Sequence, residues 1–369
     1  MHLLDSSLQS IWKKIDASER LLPEDAMALY HSPDLLGIGA MANVVRERLH
    51  GNRATYIFNR YVNYSNICIL NCQFCAFGAK KRDAHAFETA IPDIVATVRD
   101  SWAKGATEIH MVGGLHPSLS GEWYLELLRE MRKVSKELHI KAFTAVEVRH
   151  LAFRIFKKPL RETLELLRDA GLDTLTGGGA EIFDPSIRDQ ICRGKETAEE
   201  WLEAHQIWHE MGMRSNATML FGHIETVAHR VDHLNRLRAL QDKTHGFTAF
   251  LPYAFVPETT ELSHIVPATS EESLRNLAVA RLFLDNFKHI TAYWISFGLP
   301  LAAQSLYYGV DDLHGTIEEE KIFHMAGAKT PKEQTVAALE EAIQSVGRTP
   351  HQRNTFYKPI EKTKARLIS

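Results

Sequence analysis

The sequence predicts an α/β protein, a (β/α)8 barrel of the TIM type with an N-terminal helical extension and a C-terminal helix and tail. From about residue 55, eight short β-rich runs alternate with amphipathic stretches, which is typical of parallel strands joined by crossover helices. The 369 residues are 45% hydrophobic and 24% charged, an ordinary globular composition that can bury a large core. No apolar run approaches the roughly twenty residues that span a bilayer, so we expect no membrane span.

The extension is expected over residues 1–53. Ile11 and Ile15 lie at helical spacing, and Pro23 followed by two acidic residues is typical of a second helix start. Gly51 is expected to end these helices.

The barrel is expected over residues 54–328, with one helix ending at Gly171. The final helix has a start signal at Thr330, Pro331 and Glu333 and is expected to run to about Gly347. With the polar tail it makes up residues 329–369, packed on the barrel. The eight predicted strands are 54–66, 107–114, 139–147, 173–183, 214–223, 246–255, 290–298 and 305–312.

Charge and cysteine usage exclude some partners. The formal net charge is −3 and no long basic block occurs, so we expect no nucleic-acid partner. Three of the four cysteines are clustered, which predicts a metal centre in a reducing cytoplasm rather than disulfides.

Those three are Cys68, Cys72 and Cys75, in the string CILNCQFC directly after the first strand. A four-iron cluster held by three thiolates keeps one iron free of protein ligands, so that a small molecule can bind it. The alternative is a structural zinc site, for which His85 is the available fourth ligand. A non-catalytic zinc-binding barrel protein therefore stays open at this point.

The CxxxCxxC spacing, with an aromatic residue before the last cysteine, resembles the radical S-adenosylmethionine (SAM) superfamily. The further strings GGLHP, FTAVE, GGGAEIF, NATMLFGHIE and RTPHQRNTFY resemble the radical SAM enzymes of the menaquinone (futalosine) pathway, most of all the aminofutalosine (aminodeoxyfutalosine) synthases. The resemblance implies a 4Fe-4S cluster on the three cysteines and SAM as a consumed co-substrate.

Further candidates for the SAM site follow the second, fourth and fifth strands. Glycine lets backbone approach a ligand closely, and a carboxylate or guanidinium there can meet the amino and carboxylate groups of SAM. His116 and Glu181 are the candidates for catalysis. The predicted cofactor-binding residues are Gly113, Gly114, Glu181, Arg193, Asn216 and Thr218, with Lys195 as a second cation beside Arg193.

The resemblance implies a transferase that forms a carbon–carbon bond. The 5′-deoxyadenosyl radical of SAM would add to 3-[(1-carboxyvinyl)oxy]benzoate, with decarboxylation, to give 6-amino-6-deoxyfutalosine and methionine. The substrate carboxylates are expected to meet Arg60, His116 or Arg149. The resemblance further implies an electron donor such as flavodoxin or ferredoxin. Dehypoxanthine futalosine cyclase is the alternative within the superfamily, because it shares the GGGAEI pattern.

Overall fold

Parallel strands form the centre of the computed structural model, which describes residues 3–362. A six-stranded sheet has the order β2-β3-β4-β5-β6-β7, and a three-stranded sheet has the order β8-β1-β9. The strands are β1 Arg53–Ile57, β2 Asn59–Val62, β3 Glu108–Met111, β4 His139–Ala142, β5 Thr174–Leu175, β6 Arg214–Phe221, β7 Phe247–Ala254, β8 Asp312–Gly315 and β9 Thr349–Gln352.

The two sheets are joined into a barrel. β1 and β2 are successive halves of one strand that is interrupted at Phe58. Single parallel bridges from Phe250 to Ile290 and from Thr291 to Asp312 connect β7 to β8, and β8 pairs with β1. Eight strand positions therefore surround one interior, and the predicted α/β barrel class is confirmed.

Helices cover the outside of the barrel and its N-terminal extension. They are α1 Gln9–Asp16, α2 Pro23–His31, α3 Leu35–His50, α4 Ile91–Lys104, α5 Gly121–Val134, α6 Ala145–His150, α7 Leu160–Ala170, α8 Pro185–Ile191, α9 Ala198–Glu210, α10 Val227–Thr244, α11 Ser270–Phe283, α12 Trp294–Phe297, α13 Leu299–Gln304, α14 Ile322–Met325 and α15 Val336–Ser345. Short 3-10 segments occupy Ser6–Leu8 and Ser305–Tyr307, and a π-helical segment, Leu151–Phe156, follows α6.

Several helix boundaries follow the local signals. Pro23 begins α2, and Gly51, with φ +59°, follows the last residue of α3. Gly171 follows α7 with φ +126°, a backbone conformation that favours glycine. These three signals were read correctly because capping is decided within one helical turn.

The last two strands were predicted at the wrong positions in the chain. Residues 290–298 contribute only the bridges at Ile290 and Thr291 before α12 begins at Trp294. Residues 305–312 start as a 3-10 turn, and the strand begins at Asp312. The true strand, DLHG, is short, and its Asp312 and His314 side chains make hydrogen bonds in the interior, so its composition shows no strand signal.

The start of the last helix was also wrong. α15 begins at Val336, where the side chain of Thr335 accepts a hydrogen bond from the Ala338 amide. Thr330 instead donates its hydroxyl to the Ile295 carbonyl at 2.9 Å and accepts His324 Nε2 at its own carbonyl. The hydroxyl and the carbonyl of Thr330, which the predicted helix cap would have used, are therefore engaged in tertiary hydrogen bonds.

The segment after α15 enters the N-terminal end of the barrel. β9 pairs in parallel with β1, and Arg353 then forms a buried bidentate ion pair with Asp312 at 2.5 and 2.9 Å. Tyr357 packs against Ala249 and Leu251, and its hydroxyl lies 2.8 Å from the hydroxyl of Thr291. We call these contacts the base of the barrel. Residues 363–369 of the predicted tail lie outside the described residues.

Within residues 3–362, no helix is long and apolar enough to cross a membrane.

Candidate active site

The three clustered cysteines lie on the loop that follows β2, at the C-terminal end of the barrel. The Cys68 amide donates to the Ala79 carbonyl at 2.9 Å, and the Cys75 amide donates to the Cys72 carbonyl at 3.0 Å. Lys80 Nζ reaches back to the carbonyls of Cys68 and Leu70, at 3.0 and 2.7 Å. The loop is thus folded on itself by its own backbone, and all three thiols are free.

The spacing of the thiols tests the zinc alternative. In a tetrahedral zinc site with Zn–S bonds near 2.3 Å, the sulphur atoms are about 3.8 Å apart. Among the described residues, the one group of three or more ligand side chains with all ligand atoms within 4.8 Å of one another is His50, His289 and Asp311, so at least two of the cysteine sulphurs lie more than 4.8 Å apart. His85 is exposed. The three thiols and His85 therefore do not form a closed tetrahedral zinc site.

Burial favours the protonated form of two of the three thiols when no metal is bound. It raises the pKa of the Cys72 thiol well above the ordinary value and also raises the pKa of the Cys75 thiol. Thiolates are the form that binds a metal, and a bound cation displaces their protons. The three cysteines therefore fit a bound cluster in their number and their freedom from disulfides.

A cavity extends from Cys75 into the barrel. It is lined by four of the predicted site residues, Cys75, Gly113, Glu181 and Asn216, together with Lys195. We call the upper part, formed by Cys75, Gly113, Glu181 and Lys195, the mouth of the cavity. These residues come from four separate segments of the chain, so the barrel has brought the sequence motifs together.

Glycine is required where the motifs approach other segments. A Cβ on Gly113 would lie 2.5 Å from the Tyr64 ring, and one on Gly114 would lie 2.4 Å from the Ile67 carbonyl oxygen. A Cβ on Gly177 would lie 2.7 Å from the Asn216 carbonyl oxygen. No side chain fits at these distances, so the glycines keep the strand ends close to the cysteine loop.

Glu181 and Lys195 form a buried ion pair at the mouth. Lys195 Nζ lies 2.5 Å from Glu181 Oε1, and the same ammonium lies 5.4 Å from the centre of the Phe74 ring. Burial alone would lower the pKa of Lys195, but Glu181 and the nearby acidic groups raise it, so the amine is charged. Glu181 has φ +45°, a strained conformation that is common at ligand sites.

Glu147 is a cavity residue that the sequence analysis did not select. Its Oε1 accepts the Gly113 amide at 3.0 Å and the Tyr64 hydroxyl at 2.8 Å, while Oε2 accepts the Thr144 amide and hydroxyl. Burial raises its pKa to about 7. The available signal was the capping box Thr144-x-x-Glu147 in FTAVE, which explains only half of its contacts.

Besides Cys68 and Cys72, four predicted residues do not line the cavity. Gly114 packs beneath it on Ile67, and Thr218 donates its hydroxyl to the Gly177 carbonyl at 2.6 Å. Arg193 is exposed and pairs with Asp189 on the same surface at 2.8 Å.

His116 is the fourth. Its Nδ1 accepts the amides of Ser118 and Leu119 at 3.2 and 3.0 Å, and its Nε2 lies 2.8 Å from Glu88. Nδ1 is therefore engaged within its own loop, while Nε2 faces an acidic neighbour without making a hydrogen bond to it.

The cations expected to meet substrate carboxylates also lie elsewhere. Arg60 pairs with Glu318 and Glu319, and Arg149 pairs with Glu200 and Glu203, outside the cavity lining. The deeper wall is instead formed by four polar residues that the sequence analysis did not select: Tyr61, His110, Lys141 and His314. The only sequence signal for these residues was the alternation of inward-facing and outward-facing side chains along short strands.

A parallel α/β barrel with three free thiols at the C-terminal strand ends, above a cavity in the barrel, is typical of a metal-dependent barrel enzyme. Comparison with known proteins gives the family. Residues 62–237 match the family "Radical SAM superfamily", and residues 244–366 match "CofH/MqnC C-terminal region".

Full-length relatives agree with both matches. The chain is 42% identical to aminodeoxyfutalosine synthase of Thermus thermophilus, over 96% of each chain. It is 38% identical to cyclic dehypoxanthine futalosine synthase of Streptomyces coelicolor, over 96% of this chain and 89% of that protein. It is 39% identical to 5-amino-6-(D-ribitylamino)uracil–L-tyrosine 4-hydroxyphenyl transferase of Methanoculleus marisnigri, over 97% and 99%. The chain belongs to the radical SAM superfamily, in a family that contains enzymes of several activities.

Among solved structures, the fold is similar to that of methylornithine synthase. The TM-score is 0.75 at 16% identity, over 92% of this chain and 97% of that one. At this identity the likeness concerns the fold alone.

Proposed function

We propose that this chain is an aminodeoxyfutalosine synthase. It would join the 5′-deoxyadenosyl group of SAM to 3-[(1-carboxyvinyl)oxy]benzoate with loss of the acrylate carboxylate, forming 6-amino-6-deoxyfutalosine and methionine. The observation that carries this choice is the 42% identity to the Thermus thermophilus synthase over 96% of both chains. The two Streptomyces coelicolor relatives do not separate the activities, since the synthase is 37% identical and the cyclic dehypoxanthine futalosine synthase is 38% identical.

Cys68, Cys72 and Cys75 would hold a 4Fe-4S cluster, which their CxxxCxxC motif, their free thiols and the radical SAM family match support. When bound, the cluster supplies the electron that cleaves the sulfonium of SAM and so releases the adenosyl radical that adds to the enol ether. The rest of the chemistry depends on how the chain holds the two substrates.

We assign the mouth of the cavity to SAM. Glu181 offers a buried carboxylate to the amino or ribose groups, and Lys195 offers a buried ammonium to the methionine carboxylate. In this role Lys195 takes the place first proposed for Arg193, which is exposed on the surface. Asn216, whose amide donates to Thr248 at 2.7 Å, remains a proposed nucleoside contact because it lines the cavity.

The other predicted residues are proposed as positioning groups. Glu147 and Gly114 hold the backbone of the Gly113 segment, and Thr218 holds the glycine loop through the Gly177 carbonyl. His116 orders the turn after these glycines, so we propose a positioning role for it rather than proton transfer.

Aromatic side chains separate the reacting groups from water. Phe74, Phe255 and Phe323 line the cavity between the cysteine loop and the barrel wall. Holding a radical and an alkene in contact can lower the barrier by roughly 7 to 11 kcal/mol and suppresses reaction with solvent. An external electron donor such as flavodoxin or ferredoxin stays a prediction of the family resemblance.

The test is turnover of the anaerobically reconstituted, reduced enzyme with SAM and the enol ether. We expect the adenosyl carbons of labelled SAM to appear in 6-amino-6-deoxyfutalosine, together with one methionine per product. Release of free 5′-deoxyadenosine alone, with turnover of dehypoxanthine futalosine instead, would contradict the synthase and favour the cyclase.

A further inference from the structure

Four polar side chains form one layer inside the barrel, below the mouth of the cavity. Tyr61, His110 and Lys141 are direct neighbours in register on β2, β3 and β4. His314, on β8, closes the layer, with its Nε2 3.2 Å from the Tyr61 hydroxyl. All four line the cavity, and we call them the floor.

The floor contains two buried nitrogen atoms without partners. Nδ1 of His110 and Nδ1 of His314 are inaccessible to solvent and have no hydrogen-bond partner among the described residues. His110 is held by stacking on Tyr61, with ring centres 4.2 Å apart, and His314 is 2% exposed. Buried polar atoms are almost always hydrogen-bonded in native proteins, so these two nitrogens leave hydrogen-bonding capacity unused in the layer that lines the cavity.

The charge of the layer indicates an anion. Of the described residues that line the cavity, Lys141 and Lys195 are the only lysines or arginines, and Lys195 is paired with Glu181 at the mouth. Lys141 has a looser partner, Glu108, at 3.5 Å. The other carboxylate of this part, Glu320, already accepts two backbone amides and His324 Nδ1.

An aromatic surface lies next to the floor. Tyr253, Tyr293 and Phe323 are in mutual contact, with ring centres 5.0, 5.3 and 5.7 Å apart, and all three line the cavity. Such a cluster suits a flat ring. A benzoate seated there could place its carboxylate among the histidines and Lys141.

We propose that the floor binds the ring carboxylate of an aromatic acid, with Lys141 as its counter-ion and His110 and His314 as hydrogen-bond donors. The assignment rests on the proposed function, in which the alkene must face SAM at the mouth. The ring carboxylate is the substrate's far end, while the acrylate carboxylate sits at the reacting carbon and is lost. The floor would therefore set the depth and direction of the substrate.

The test measures binding without turnover, in the unreduced holoenzyme with SAM bound. Two probes are titrated calorimetrically: 3-(carboxymethoxy)benzoate, which lacks the alkene, and phenoxyacetate, which also lacks the ring carboxylate. We expect the wild type to prefer the diacid by about 10- to 100-fold, the usual range for a charge-assisted contact. In Lys141→Met combined with Glu108→Gln, which leaves no lone buried charge, this preference should fall below about 3-fold.

Two kinds of variant accompany that measurement. His110→Phe keeps the stacking on Tyr61 and removes one hydrogen-bond donor. Its preference for the diacid should therefore be lower than that of the wild type but higher than that of the Lys141 and Glu108 variant. Arg60→Met and Arg149→Met remove cations outside the cavity and should keep the full wild-type preference.

The outcomes separate the two claims. If the wild type prefers the diacid and the Lys141 and Glu108 variant keeps that preference, the floor assignment is wrong while the proposed function stands. If that variant does not fold, an unchanged preference in His110→Phe overturns the assignment and a reduced one supports it. If the wild type binds SAM but neither acid, the proposed function fails and the floor assignment fails with it.

Discussion

The mouth of the cavity and the base of the barrel both contain buried ion pairs, but they differ in backbone strain and in nearby carboxylate oxygens left without hydrogen bonds. At the base, Arg353 makes two hydrogen bonds to Asp312, and Asp311 accepts Arg281 at 2.6 Å. Near the mouth, Glu181 has a strained backbone, and both carboxylate oxygens of the buried Glu196 lack hydrogen-bond partners among the described residues.

The difference separates stability from function. A saturated buried ion pair fixes the closing segment, and breaking it leaves an uncompensated charge. Strain and unpaired polar atoms cost stability and persist where a ligand is bound or the chemistry occurs. Substitutions at the mouth should therefore affect metal loading and turnover, whereas substitutions at the base should affect unfolding.

The largest effect is expected from Cys72→Ala. Removal of one of three thiolates should abolish cluster loading, from about four irons per chain to nearly none, and reduce product formation by more than about 1,000-fold. Iron analysis and the turnover assay measure both. The matched control is Cys192→Ala, which removes a buried cysteine and should keep its iron while losing about 1 kcal/mol of stability. Equal iron loss in the two variants would contradict the assignment of the ligands.

The base should respond through stability alone. Arg353→Met leaves Asp312 buried and unpaired, so the free energy of unfolding of the apoprotein should fall by about 3 to 5 kcal/mol. Urea denaturation measures it. Arg129→Met, which breaks an exposed pair with Glu122, should cost less than about 1 kcal/mol. A loss in Arg353→Met no larger than in this control would show that the closing segment contributes little.

A smaller effect, dependent on pH, is expected from Glu196. Burial raises its pKa to about 7, although Lys195 and Arg188 oppose the shift. The folded state therefore favours the protonated acid, and its contribution to stability is present below pH 4.5 and lost as the pH rises through 7. The loss amounts to about 3 kcal/mol.

Glu196→Gln should remove this part of the pH dependence when unfolding of the apoprotein is compared at pH 5 and pH 8. Glu199→Gln, at an exposed position nearby, should keep the wild-type dependence. A wild-type slope in Glu196→Gln would show that Glu196 is not the group responsible.

The mouth was largely predictable because its parts are local strings. CILNCQFC, GGLHP and GGGAEIF each follow a strand, and parallel strands end at the same edge of the barrel, so their meeting follows from the fold class. The choice between Arg193 and Lys195 was not predictable. The two residues are neighbours in the sequence, and only the turn at Gly194, with φ +82°, sends one outward and the other inward.

The floor and the base could not be derived from the sequence. Lys141 pairs with Glu108 from another strand, and Asp312 meets Arg353 from the C-terminal segment. In the sequence, each of these residues resembles an ordinary surface charge. Which of them share one layer of the interior depends on the register between neighbouring strands, which the sequence alone does not show. The polar interior is also the reason why β8 was not predicted in its true place. Its interior side chains are polar, so the strand lacks the apolar pattern by which buried strands are recognised.

The central claim is that the cavity below three cluster-binding cysteines joins the adenosyl group of SAM to an aromatic enol ether. The most direct measurement is mass spectrometry of the products formed by the reduced enzyme from isotope-labelled SAM and 3-[(1-carboxyvinyl)oxy]benzoate. The account predicts that the label is found in 6-amino-6-deoxyfutalosine. Label found only in free 5′-deoxyadenosine, with the enol ether unchanged, would contradict it.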